Sequence, residues 1–280
     1  MDKNNQLLLL TTDVVFKMFF ADERSKDILL YFLQAVLGLP DDEVSELEIL
    51  NPTINKVNIG DRDYIVDVRL KTKSGHTQIF EMQAKTHPAF NERIACSNAR
   101  TFSTQLKPGD EFTKLKKVTS IVITKFSIFE DVYDYHNIFE YRTKNGLLFT
   151  DFQQIHTLEL PKIPKTATTE KDRWMKFLKI EREEEADMLA QESPIIGKAV
   201  LRLKTLSADE EARQLAYERE EGQRIRSTIE KVAREEGRTK GIVEGKLEVA
   251  RKLLEINRPI SEIIMATELT QEEISTLKKH

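Results

Sequence analysis

The chain has 280 residues, a net charge of -4, a pI near 5.9 and one cysteine, Cys96. That length accommodates one good core and a smaller second unit. The charge excludes a globally basic nucleic-acid coat, so any such binding rests on local patches, and one cysteine excludes an internal disulfide framework or a cysteine-based zinc site.

The N-terminal run of four leucines, Leu7 to Leu10, is too short for a signal h-region or a membrane span, so the expectation is a soluble cytoplasmic protein without a membrane partner. Thr12 can cap a helix entering "DVVFKMFF", where Val15, Phe16, Phe19 and Phe20 form one apolar stripe. A second helix, "SKDILLYFLQAVLG", has the same habit and stops at Gly38 and Pro40. From about Ser45 the pattern becomes strand-like, and "YIVDVRLKTKSGHTQIFEMQAK" predicts a hairpin. The segment "AFNERIACSNARTFSTQL" returns to helical spacing, with Cys96 read as a buried small residue. The β-branched run "KVTSIVITKF" predicts a strand buried on both faces. Short strands follow at "NIFEYRT" and "IHTLEL", and Pro161 and Pro164 punctuate the end of the unit. This order predicts an α/β core over residues 1–165 and a helical C-terminal region over 166–280.

Trp174, on "DRWMKFLKI", is expected to anchor the first C-terminal helix to the body. From Asp209 to Arg258 there are 12 acidic and 12 basic residues, the pattern of a solvated helix, with Val243, Leu247, Ala250 and Leu254 as a thin seam. Gly237, Gly241 and Gly245 share one face of it. Each weakens a helix by about 1 kcal/mol against alanine, which fits either close approach by a partner helix or a frayed tail. After Pro259 two short helices are expected, the second opened by a capping box of Thr270 and Glu273. A homo-oligomer through these C-terminal helices is one expectation.

The hairpin carries the chemistry. Gly75 closes a three-residue loop, Lys73-Ser74-Gly75, ending in the left-handed conformation that glycine adopts most readily. Residues whose numbers sum to 148 then face each other, which sets Asp67 opposite Glu81. Alternation places Ile65, Asp67, Arg69, Ile79, Glu81, Gln83 and Lys85 on one face and Val66, Val68, Phe80 and Met82 on the other. Opposed like charges destabilise a sheet unless a cation or a shared proton lies between them. Two readings stand at this level. The acids are either the solvated face of an exposed hairpin, or a pair holding a hard cation such as Mg²⁺, which accepts one or two carboxylates and completes its shell with water and phosphate. His76 and His87 flank the second strand and read as turn and helix-entry residues.

Asp67, thirteen residues and then Glu81-Met82-Gln83 resemble the active-site hairpin of the PD-(D/E)XK nuclease superfamily. Within it the chain resembles the recombination-promoting nuclease (Rpn) and transposase family. The shared features are a D-x-x-F-K start at Asp13–Lys17, the strand "FEMQ", a following helix with Arg93, Arg100 and Gln105 at matching places, and a tail closing on "LTQEEISTL". The resemblance covers most of the chain. It implies a restriction-endonuclease-like core, a central mixed sheet flanked by helices, and a Mg²⁺-dependent endonuclease on double-stranded DNA, linked to recombination or mobile elements, with Mn²⁺ or Ca²⁺ as substitute ions in vitro. By position, Asp67 and Glu81 would be the metal ligands, joined by the Met82 carbonyl, and Gln83 would take the third catalytic place. The superfamily usually has lysine there; glutamine orients by hydrogen bonds but brings no charge.

Asp13 would complete the acid cluster or simply stabilise a helix N-terminus. Lys17, Lys85, Arg93 and Arg100 would contact phosphate or remain surface charges and intrahelical partners. Beside the enzyme stand two alternatives: a catalytically weak or inactive relative that binds nucleic acid or protein, and a helical assembly module.

Overall fold

The computed structural model describes residues 6–44, 46–50, 53–54, 64–65, 67–86 and 88–277. Helix α1 (Asp13–Phe20) buries Val15, Phe16, Phe19 and Phe20, the stripe its spacing predicts. Thr12 occupies the cap position but its hydroxyl makes no capping bond; the Asp13 carboxylate accepts from the Val14 N–H at 2.9 Å instead. Helix α2 (Lys26–Leu37) ends on Gly38 at φ 66°, the left-handed stop that a residue without Cβ reaches most easily. A single turn, α3 (Asp41–Val44), leads into the strands.

These are β1 (Glu48–Leu50), β2 (Thr53–Ile54), β3 (Tyr64–Ile65), β4 (Val68–Lys71), β5 (Thr77–Gln83), β6 (Val118–Thr124), β7 (His136–Arg142) and β8 (Leu148–Glu159). Six of them form one mixed sheet in the order β1-β4-β5-β6-β8-β7. The pairs β5·β6 and β6·β8 are parallel and the others antiparallel. The hairpin has the expected register, Val68 opposite Phe80 through Lys71 opposite Thr77. Its turn closes with the Thr72 N–H on the His76 carbonyl at 2.9 Å, and Gly75 has φ 85°. One feature differs. The first strand is not continuous from Tyr64, because β3 pairs with β2 in a separate two-stranded sheet and the chain bends at Asp67 before β4 begins.

Contacts divide the chain into two compact units, the first ending at Glu218 and the second beginning at Arg219. In the first, one face of the sheet presents Val68, Leu70, Phe80, Met82, Ile121, Ile123 and Leu158 to α1, α2, α5 (Glu170–Leu178), α6 (Glu183–Glu192) and α7 (Pro194–Ala208). Trp174 is fully buried there, edge-on to Phe32 at 5.5 Å and to Phe177 at 5.7 Å, and each such ring contributes roughly 1.5–3 kcal/mol of burial. Polar contacts also tie the late helices to the start of the chain. The Leu8 N–H donates to Ser207 Oγ at 2.9 Å, and Arg202 Nη2 to Asp22 Oδ2 at 2.7 Å. The compact unit therefore runs well past residue 165, where the prolines suggested an end, because the amphipathic helices that follow supply one wall of its core.

The other face of the sheet carries α4 (Phe90–Ser103), which lies chiefly over β6 and β8. Phe90 and Ile94 pack on Val122 with Ile155 beside them, and Asn98 Nδ2 donates to Ser120 Oγ at 2.9 Å and to the Gln154 carbonyl at 3.0 Å. Cys96 is exposed, not buried as expected: it follows Ile94 by two positions and so points away from the sheet. The strand "VTSIVIT" is buried along its whole length, as its composition predicts.

In the second unit the last turns of α8 (Glu210–Glu255) pack with α9 (Ile260–Thr267) and α10 (Gln271–Leu277). Ala250, Ile263, Leu269 and Ile274 form its core, with Leu247 and Leu254 beside them, while Val243 is exposed. The capping box is present: the Thr270 N–H donates to Glu273 Oε2 at 2.7 Å and the Glu273 N–H to Thr270 Oγ1 at 3.2 Å. Among the described residues, a Cβ at Gly237, Gly241 or Gly245 would meet nothing within 4 Å. No described helix is long and apolar enough to cross a membrane.

Candidate active site

Strand β5 lies inside the sheet, and its alternation sends Phe80 and Met82 into the main core while Glu81 and Gln83 take the opposite face. Glu81 is 3% exposed, although a carboxylate is rarely buried without a partner. Its Oε2 accepts from Gln83 Nε2 at 3.0 Å and lies 3.4 Å from Arg93 Nη2. Asp67 reaches the same region from the bend before β4, and its Oδ2 accepts from the Met82 N–H at 2.6 Å. That bond locks the first acid to the strand that carries the second.

Electrostatics shows which groups share the site. Burial pushes the Asp67 carboxyl up to about 7; the Met82 N–H opposes the rise, the negative charges of Glu81 and Asp13 add to it, and Lys17 draws it down. Glu81 is also raised, because burial outweighs Arg93 and the Gln83 amide. Helix α1 thus brings Asp13 and Lys17 within electrostatic reach of Asp67, which shares its corner with the buried Glu81. Such a cluster favours either a retained proton or an added cation.

The donors fit a hard divalent ion. Asp67 and Glu81 supply carboxylate oxygens, and among the described residues no three acid, histidine or cysteine side chains gather closely enough to cage an ion by themselves. Water and substrate phosphate would then fill the remaining positions, which is how Mg²⁺ is commonly held.

The remaining candidates fall in different places. Gln83 touches Glu81 as a neutral donor, and Arg93 is the counter-ion of Glu81 rather than a surface charge. This pairing with a strand carboxylate is none of the three places expected for Arg93, a phosphate, the open surface or an intrahelical pair; its signal in the sequence is a basic residue in the first turn of the helix after the strand. Arg100 lies two turns further along α4 on the same flank, half-buried. Lys85 is exposed past the end of β5. Gln105 acts structurally, its amide clamping the Lys116 backbone through two bonds of 2.8 Å. His76 is the turn residue its position suggested, and His87 lies outside the described residues.

A mixed six-stranded sheet flanked by helices, with two acids and a glutamine gathered on one hairpin, defines a nuclease-type α/β protein of the PD-(D/E)XK fold. Residues 10–230 match the family model of the PD-(D/E)XK nuclease family transposases, and the chain belongs to that family. Nucleases of this superfamily generally use divalent metal ions. No curated protein and no solved structure matches the chain.

Proposed function

We propose that the protein is a Mg²⁺-dependent endonuclease that hydrolyses phosphodiester bonds of double-stranded DNA in recombination or mobile-element movement. The observation that carries the reading is the Asp67 carboxylate, fixed on the Met82 N–H beside the buried Glu81. Asp67 and Glu81 would hold the ion, with the Met82 carbonyl as a further oxygen donor. When bound, a divalent ion polarises a phosphoryl oxygen and lowers the pKa of a coordinated water. Gln83 steadies the Glu81 carboxylate through its amide and orients the attacking water. Asp13 contributes negative charge to the ion's surroundings, and Lys17 balances it beside Asp67. Arg93, paired with Glu81 at the edge of the site, would also offer its guanidinium to a DNA phosphate. Arg100 and Lys85 extend the cationic flank.

The nuclease-like part is residues 1–165, completed by helices of the region 166–280, and the protein works in the cytoplasm. Ile225, Ile229 and Val232 of α8 are exposed at helical spacing and support a homo-oligomer in which the same helix of a second copy covers them. A second reading is favoured by Gln83 itself, which lacks the charge of lysine: a weakly active or inactive relative that binds nucleic acid or protein through this surface.

Purified protein incubated with supercoiled plasmid and Mg²⁺, beside an Asp67→Ala control of intact fold, tests the proposal. Nicked or linear product from the parent alone is expected. Equal product from both proteins, or none from the parent, would overturn it.

A further inference from the structure

We propose that Arg69 binds a DNA phosphodiester next to the one that reacts at Asp67 and Glu81, on the face of the sheet that also carries α4. The inference rests on the reading of this face as a DNA-binding one.

Arg69 lies on β4 in register with Ile79, two residues before Glu81 on β5, so its side chain leaves the face of the sheet that carries Glu81. It is half-buried, and its Nε is shielded from solvent without a hydrogen-bond acceptor. Its side chain makes no hydrogen bond or ion pair among the described residues. Other arginines of this unit do better: Arg202 is held by Asp22 at 2.7 Å, Arg173 by Glu170 at 2.7 Å, and Arg93 faces Glu81 at 3.4 Å.

A guanidinium cannot discard its proton at ordinary pH, so partial burial without an anion is a standing penalty. Its five donors form a planar fork that matches the oxygens of a phosphate. Two residues along a strand advance roughly 6.6 Å. That is of the order of the step between neighbouring phosphates on one DNA strand, so a backbone with one phosphate at the acid pair brings the next to Arg69.

A purely structural role would reside in the aliphatic stem, which methionine reproduces. The test therefore compares Arg69→Met with Arg69→Lys in the full chain carrying Asp67→Asn to prevent cleavage. Binding of a fluorescent duplex is followed by anisotropy at a series of KCl concentrations, with melting temperatures measured alongside. Arg69→Met is expected to weaken binding several-fold at low salt and to flatten the plot of log K against log [KCl] by about 0.9, the loss of one phosphate contact. Arg69→Lys should keep the parental slope. An unchanged slope in Arg69→Met, or a parent that binds no duplex, would overturn the proposal. Plasmid cleavage by the unsubstituted chain is scored separately. Cleavage with an unchanged slope sinks the Arg69 assignment alone, whereas a flattened slope without cleavage supports Arg69 and sinks the nuclease reading.

Discussion

Replacing Asp67 with Asn keeps the bond from the Met82 N–H, since an amide oxygen accepts as a carboxylate does, and removes a negative charge from beside Glu81 and Asp13. The folded-state pKa of Asp67, about 7, stands above the ordinary 3.8. Between those values the folded chain holds a proton that the unfolded chain has lost. Metal-free stability therefore falls as pH rises through that window and levels off above it. The whole rise, at roughly 1.4 kcal/mol per pKa unit, is worth about 4 kcal/mol, and the part lying between about pH 5 and pH 7 is about 3 kcal/mol. The Asn variant lacks this slope. In urea titrations with EDTA, its advantage over the parent should grow by about 3 kcal/mol from pH 5 to pH 8. His136 and His156 are held neutral by burial, with pKa values of about 4 and about 3, and act on both proteins alike, so the difference reports Asp67 together with its coupling to Glu81 and Asp13. Excess Mg²⁺ should stabilise the parent at pH 8 and shrink the gap. An advantage that stays constant with pH would refute the claim that the acid sits uncompensated in the metal-free site.

Two further outcomes test other parts of the argument. Gln83→Lys places a charge next to the reacting phosphate and should raise the plasmid cleavage rate about a hundredfold, in the range usual for one positioned electrostatic donor, whereas Lys85→Ala should leave it near the parental value; equal rates in all three proteins would deny position 83 a role. Alanine at Gly237, Gly241 and Gly245 meets no described neighbour, so each substitution should stabilise α8 by about 1 kcal/mol, seen as a higher helical melting temperature by circular dichroism; a lower one would reveal a partner helix seated on that face.

The hairpin was legible because its signals are local. Gly75 sets the loop, the loop sets the register, and alternation decides which side chains leave which face. The same holds for β6, whose β-branched run can hardly sit anywhere but inside a sheet. What escaped was pairing at a distance. An amphipathic stripe on α5 or α7 declares that a helix has a buried side but not which surface covers it, so the extension of the unit to Glu218 lay beyond the pattern. The break at Asp67 was hidden because "YIVDVRLK" alternates correctly for one strand, and only the presence of β2 divides it. Cys96 was misread from its residue type; the positions of Phe90, Ile94 and Asn98 already defined the inner side of α4 and left it outside.

The bonds from Leu8 to Ser207 and from Asp22 to Arg202 join segments separated by 199 and 180 positions in the chain. Closing so large a loop is slow relative to local folding. During synthesis, the strand bearing the acids leaves the ribosome long before the helices that finish its hydrophobic backing. A chain interrupted after the eighth strand would possess every candidate catalytic residue and still lack the wall that keeps them in place. For the nuclease proposed above, that ordering withholds a working blade until α7 has emerged.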